Sequence, residues 1–182
     1  MKLFIKNINR QEDVRALCSL LDTLQIDCEN KIELGEVKLN SIVEQEKLTR
    51  LKSELEKLGM TIIYDRKMIL AEQVKYVVRE MLGLDERPDQ NYSHYISNRL
   101  FLNYTYLANI FSETQQITIE HFIINLKIEK VKHLLLFSDY NISQIADLMQ
   151  YSSIGHLSNQ FKKVTGMTPS EFKKMAQKDA VN

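Results

Sequence analysis

At 100° per residue, Leu157, Phe161 and Val164 share one side of a helix while Gly155, Ser158, Asn159 and Lys162 share the other. The chemistry of that second side is recognition rather than bond-making. A carboxamide sets a donor beside an acceptor, which matches the N6 and N7 edge of adenine. A hydroxyl serves either kind of base edge, and a glycine lets the backbone approach closely. An ammonium such as that of Lys162 neutralises a phosphate. Ser152 and Ser153 stand where the helix must start, and hydroxyls with free backbone N–H groups there suit a phosphate oxygen. Patterns for catalysis are missing from the chain. It has no P-loop, no GxGxxG, no HExxH and no nucleophile elbow, and its carboxylates scatter over helix faces as solubilising charge. The expectation is a non-enzymatic chain without a cofactor.

Such a face needs a scaffold, and from Tyr92 onward the apolar spacing is helical. Ile96 and Leu100 share a face, then Leu107, Ile110 and Phe111. Residues 118–136 carry Ile119, Phe122, Ile123, Leu126, Val131, Leu134 and Leu135, and a short helix with Ile142, Ile145, Ala146 and Met149 follows. Gln150-Tyr151-Ser152 breaks it before the helix of Leu157 and Phe161. Short helix, tight break, second helix is the helix-turn-helix plan. Gly166 suits the left-handed residue that ends the second helix. Thr168, Pro169 and Glu171 then supply a capping box with proline at the first helical position.

The first half reads differently. Leu3 and Ile5 alternate as a strand, and Val14, Leu17, Cys18, Leu21 and Leu24 recur as a helix. Ile32, Leu34, Val37 and Leu39 flank a hairpin at Leu34-Gly35-Glu36. Leu48, Leu51, Leu55 and Leu58 form a second helix ended by Gly59, residues 60–64 a strand, and residues 66–82 a third helix. The order strand, helix, strand, strand, helix, strand describes a ferredoxin-like α/β sandwich. The expected fold class is therefore α+β, with that sandwich followed by an all-α domain of two helix-turn-helix motifs. Residues 1–82 form the first domain, 83–91, with Gly83 and Pro88, the linker, and 92–182 the second.

These residues carry a family resemblance. Ile145-Ala146, Tyr151-Ser152, His156-Leu157-Ser158, Phe161-Lys162-Lys163 and Thr165-Gly166-Met167-Thr168-Pro169-Ser170-Glu171-Phe172 resemble the DNA-binding region of AraC/XylS-type transcription regulators. Ile128-Glu129-Lys130-Val131 and Leu134-Leu135 look like that family's linking helix, and Tyr106-Leu107 with Ile110-Phe111 like its first recognition helix. The resemblance implies base contacts at Ile154, Gly155, Ser158 and Asn159. The matching face of the first motif is Thr105, Ala108 and Asn109. Phosphate contacts are expected at Ser152, Ser153, Lys162 and Lys163. Gln150 stands where the family usually has a turn glycine, and Ser97 where its first motif usually has alanine. The implied partner is double-stranded DNA. RNA polymerase and self-association through the amino-terminal half are further partner expectations.

The amino-terminal half is similar in plan to a heavy-metal-associated domain, on Lys2-Leu3-Phe4-Ile5-Lys6-Asn7 and Leu34-Gly35-Glu36-Val37. Its loop lacks the thiolates that a soft metal needs, with Arg10 and Asp13 near the expected cysteine positions. Cys18 is expected as core filler and Cys28 has no sequence partner, so no metal site is expected. His121 and His133 lack metal spacing, and His156 is expected to pack. Lys127, Lys130 and Lys132 are either a solvated helix face or phosphate contacts.

Two cysteines fit a reducing compartment, and Met1-Lys2-Leu3-Phe4-Ile5-Lys6 is too short an apolar run for a secretion signal. Without an apolar stretch of spanning length the expectation is a cytoplasmic protein off the membrane. The chain is neutral, with 24 Lys+Arg and 24 Asp+Glu. Divided, residues 1–89 hold 15 basic and 17 acidic side chains and residues 90–182 hold 9 and 7. So slight a positive excess implies few phosphate contacts and reliance on base contacts. The nineteen residues 118–136 span about 28 Å as a helix, near the roughly 34 Å of one DNA turn, which suggests one chain reading adjacent major grooves. The absence of Arg from both faces leaves a competing reading, a protein-interaction adaptor that keeps the scaffold but has lost DNA binding. A metal carrier is a second competitor, opposed by the loop.

Overall fold

Alternation along β1 (Lys2–Lys6) buries Leu3 and Ile5, and this strand is the centre of a three-stranded antiparallel sheet ordered β2-β1-β3. The computed structural model describes residues 1–29, 32–83 and 91–179. β2 (Glu36–Lys38) sets Val37 opposite Leu3, and β3 (Thr61–Ile63) sets Ile62 opposite Ile5. Leu17 and Leu21 of α1 (Gln11–Thr23) and Leu51 and Leu55 of α2 (Gln45–Lys57) join these strand residues in a single apolar cluster. Each fully buried leucine contributes about 1.5–3 kcal/mol.

Both helices stop on left-handed residues. After α1, Ile26 N–H donates to Leu21 O and Gln25 N–H to Asp22 O, with Gln25 at φ 53°. After α2, Met60 and Gly59 repeat the pattern on Leu55 and Glu56, with Gly59 at φ 73°.

The hairpin turns through Leu34 and Gly35, at φ 53° and 76°, the pair of positive values that a type I′ turn requires. Gly35 is needed twice over, because a Cβ there would lie 2.9 Å from Ile5 O. The arm before this turn differs from the expectation of a strand. Among the described residues its backbone pairs with the other arm as isolated bridges, Cys28 with Leu39 and Glu33 with Glu36, while residues 30 and 31 lie outside them. Among the described residues the four strands expected of a ferredoxin-like sandwich are thus three.

Cys18 also departs from expectation. It is partly exposed rather than core, because Leu17, Leu21 and Leu24 fix the inward face and residue 18 falls about 100° from it.

α3 (Arg66–Gly83) buries Leu70, Ala71, Val74, Val77, Val78, Met81 and Leu82, more than a single stripe. The reason is that it packs on β1 and also on α4 (Tyr92–Leu100) and α5 (Tyr104–Gln115). Contacts divide the chain into two compact units, Met1–Thr118 and Ile119–Asn182. The first thus groups α4 and α5 with the sheet, and the expected linker lies, at 84–90, outside the described residues.

The second unit comprises α6 (Ile119–Phe137), α7 (Ile142–Leu148), α8 (Ile154–Thr165) and α9 (Pro169–Asp179). Its core is Ile128, Val131 and Leu135 from α6, Ile145 and Ala146 from α7, and Leu157 and Phe161 from α8, closed by Met149 and Tyr151. Phe172 of α9 lies against Phe161, ring centroids 5.6 Å apart. Val164 was expected inward and is 41% exposed. It has the right helical phase but lies beyond Phe161, the last α8 residue in the core cluster. Among the described residues no helix is long and apolar enough to cross a membrane.

Candidate nucleic-acid interface

The turn ahead of α8 is built by hydrogen bonds. Tyr151 N–H donates to Ala146 O at 2.8 Å and Gln150 N–H to Asp147 O at 2.9 Å, with Gln150 at φ 54°. This is the six-to-one and five-to-two pairing that closes a helix on a left-handed residue. The position where the resemblance expects glycine therefore has the conformation that favours glycine, and glutamine occupies it.

Tyr151, 8% exposed, fixes the turn to its surroundings. Its hydroxyl donates to Gln160 Oε1 at 2.7 Å, Lys127 Nζ of α6 lies 5.1 Å from its ring centroid, and His156 meets it edge-on. Ser152 Oγ lies 3.0 Å from His156 Nδ1, so His156 packs by its ring on an exposed surface. Ser153 caps α8 by accepting from His156 N–H at 3.1 Å. Gly166, at φ 85°, ends it.

The first motif repeats this construction. Asn103 caps α5 by accepting from Thr105 and Tyr106 N–H groups, at 2.9 and 3.3 Å. The turn ahead of it holds Phe101 at φ 55°, 90% exposed, and Gln116 at φ 59° ends the helix. α5 and α8 are both twelve residues long, in register at an offset of fifty. Leu107 matches Leu157 and Phe111 matches Phe161, all four fully buried. The same register pairs Thr105 with Gly155, Ala108 with Ser158 and Asn109 with Asn159.

Thr105, Asn109, Ile154, Gly155 and Asn159 are exposed, while Ala108 and Ser158 are half-buried. The structure brings Thr105, Ala108 and Asn109 together on α5 in the first unit. It brings Ile154, Gly155, Ser158 and Asn159 together on α8 in the second. Ser152, Ser153, Lys162 and Lys163 are exposed as well, the serines at the start of α8 and the lysines in its last turn. Several other polar side chains on the two helices are engaged. Lys67 Nζ holds the Glu113 carboxylate at 2.6 Å, and Tyr151 holds Gln160. Among the described residues the carboxamides of Asn109 and Asn159 have no side-chain partner.

The supporting contacts were not legible from spacing. Lys127 stands over an aromatic ring rather than on a merely solvated face, and Lys132 pairs with Glu129 at 2.7 Å. Arg99 of α4 reaches Glu33 in the hairpin at 3.1 Å and Glu80 of α3 at 3.4 Å, which ties the first motif to the sheet.

In the amino-terminal loop, the Asp13 carboxylate accepts N–H bonds from Asn9 and Arg10 at 2.7 and 2.9 Å. Residues near the expected thiolate positions thus cap α1. Burial pushes the Cys28 thiol up from its ordinary value, and nearby Cys18, Asp22 and Asp27 add to this. Among the described residues no three His, Cys, Asp or Glu groups gather as metal ligands.

Residues 96–175 match a family model described as a helix-turn-helix domain. The melibiose operon regulatory protein of Escherichia coli (strain K12) is 28% identical over 110 residues, 59% of this chain and 36% of that protein. The chain thus spans about a third of that relative's length. In fold, ToxT from Vibrio cholerae is similar at TM-score 0.53 and 18% identity, over 91% of this chain and 68% of that one. The DNA-binding domain of AdpA, the global transcriptional factor, solved in complex with a target DNA, is similar at TM-score 0.50 and 17% identity, over 60% of this chain and 94% of that one. The carboxyl-terminal part of the chain, residues 96–175, therefore matches a helix-turn-helix domain.

Proposed function

We propose that the chain is a sequence-specific transcription regulator that reads duplex DNA with α5 and α8 in adjacent major grooves. The observation that carries this reading is the repeat itself: two capped twelve-residue helices in register, each presenting a small residue and an asparagine outward. α6 between the motifs has nineteen residues, a length of about 28 Å, which suits grooves one turn apart. Ser152 and Ser153 at the start of α8, with Lys162 and Lys163, are assigned to phosphates. Base reading belongs to Thr105, Ala108 and Asn109 and to Ile154, Gly155, Ser158 and Asn159. The similar AdpA domain was solved in complex with a target DNA, which supports DNA as the partner.

Reading is assigned to residues 92–182, with residues 1–82 as the domain ahead of it. Two features support a ferredoxin-like plan without a metal. The strand order β2-β1-β3 and its two helices match that plan less one strand, and Asp13 caps α1 in the loop a metal would need. RNA polymerase and a second copy of the chain are the proposed protein partners.

Selection of bound duplexes from a random pool, followed by affinity measured across salt, tests the proposal. One enriched motif with a salt-dependent affinity is expected. An adaptor that has lost DNA binding would enrich nothing.

A further inference from the structure

The proposed reading leaves open which base pairs are read, and the two faces carry more information than their shared scaffold. Guanine shows two acceptors in the major groove, which donor-only Arg or Lys reads, and cytosine shows a donor, which Asp or Glu reads. Positions 104, 105, 108 and 109 of α5 and 154, 155, 158 and 159 of α8 include none of these four residue types. The charged groups lie further along the helices: Lys162 shares the outer face of α8 but stands one turn on and is assigned to phosphate. Lys162 and Lys163 belong to the last turn of α8, and Glu113 is held by Lys67. Gln160, the other carboxamide on α8, accepts from Tyr151.

Both helices leave the same kind of group at one position of this face. Each has an asparagine at its sixth position, exposed and without a side-chain partner among the described residues. A free carboxamide donates and accepts at once, as adenine N7 and N6 require. Beside it lie apolar surfaces of methyl size: the Thr105 methyl and Ala108 on α5, and Ile154, 46% exposed, on α8. At Gly155 the space is open, since a Cβ there would meet only Ser153 Oγ, at 3.8 Å. Thymine C5-methyl groups fit such surfaces.

We propose that the target is A·T-rich in both grooves, with Asn109 and Asn159 each paired to an adenine through N7 and N6 and thymine methyls against Thr105, Ala108 and Ile154. This rests on the DNA-reading function proposed above. The two asparagines set specificity, whereas the shared scaffold sets only affinity and spacing.

The test uses the full chain, a random duplex pool and chemically altered duplexes made from the enriched sequence. Two clusters of A·T pairs are expected in the enriched sequence. Replacing the adenine read by Asn159 with 7-deaza-adenine, which removes only the N7 acceptor, should weaken binding roughly tenfold. Asn159→Arg should move selection at that pair from A·T to G·C, an outcome that a merely structural role would not produce. G·C-rich enrichment, or enrichment without base preference, overturns the inference and leaves DNA binding intact. So does A·T enrichment insensitive to 7-deaza-adenine, because the preference would then come from duplex shape. Failure to bind any duplex overturns the proposed function and this inference with it.

Discussion

Asn109 and Asn159 stand fifty residues apart in the chain and at the same place in their helices, the sixth position of twelve. Each helix opens on a side-chain cap, Asn103 or Ser153, and closes on a left-handed residue, Gln116 or Gly166. The equivalence matters because caps and buried leucine and phenylalanine fix the rotation of a helix about its axis. With Leu107 and Phe111 inward, Asn109 must face outward, and Leu157 and Phe161 do the same for Asn159. Local chain chemistry thus aims both carboxamides.

The turn before α8 holds an exposed glutamine in a conformation that costs a non-glycine residue about 1–2 kcal/mol. Gln150→Gly should therefore raise stability by about 0.5–1 kcal/mol, the relief being partly offset by the greater freedom of glycine in the unfolded chain. Urea unfolding with an unchanged slope and a higher midpoint is the expected result. A lower midpoint would contradict the left-handed turn.

Tyr151 joins α6, the turn and α8 through one ring and one hydroxyl. Tyr151→Phe keeps the ring and removes the bond to Gln160, so it should cost about 1 kcal/mol. Tyr151→Ala should cost about 3–5 kcal/mol, as loss of a buried aromatic ring does. Comparison of the two unfolding midpoints separates the contributions, and equal losses would deny the ring its packing role.

Much of this was legible in the sequence where local chemistry decides. Gly166, Thr168, Pro169 and Glu171 announced the end of α8 and the start of α9, and the spacing of Leu107, Ile110 and Phe111 gave the inner face of α5. Where the outcome depends on what lies opposite, residue type was silent. Val164 has the phase of a core residue but lies past the end of the core cluster, and Cys18 sits one position off the buried face. α3 is buried more widely than one stripe because both the sheet and the first motif pack on it. The left-handed Phe101 was hidden too, since phenylalanine does not seek that conformation, and Gln150 was marked only by the resemblance, as standing at a turn-glycine position. The site was legible as faces, not as supports: Arg99 with Glu33, or Lys127 over Tyr151, joins residues far apart in the chain.

Acid should loosen the start of α9. Backbone and side-chain hydrogen bonds from Thr168 hold the Glu171 carboxyl below its ordinary 4.5, with Lys162 and Lys174 adding to this. A depressed value in the folded state means the stabilisation is present at neutral pH and is lost as pH falls below that ordinary value and through the folded one. Unfolding midpoints measured from pH 7 to pH 3 should fall less for Glu171→Gln than for the parent chain. An identical fall in both would remove Glu171 from this role.

Lys162 should act on every sequence alike. Lys162→Ala is expected to weaken binding uniformly and to reduce the slope of log affinity against log salt by about 1. Titrations of the selected duplex and of an unrelated one, across salt, check this. A loss confined to the selected duplex would make Lys162 a base reader instead.

The claim that one chain reads two successive turns is tested most directly by hydroxyl-radical footprinting of the full chain on its selected duplex, at concentrations where it is monomeric. The account predicts two protected patches on one face of the duplex, about 10 base pairs apart centre to centre. A single patch within one turn, or protection that appears only when the chain dimerises, would contradict it.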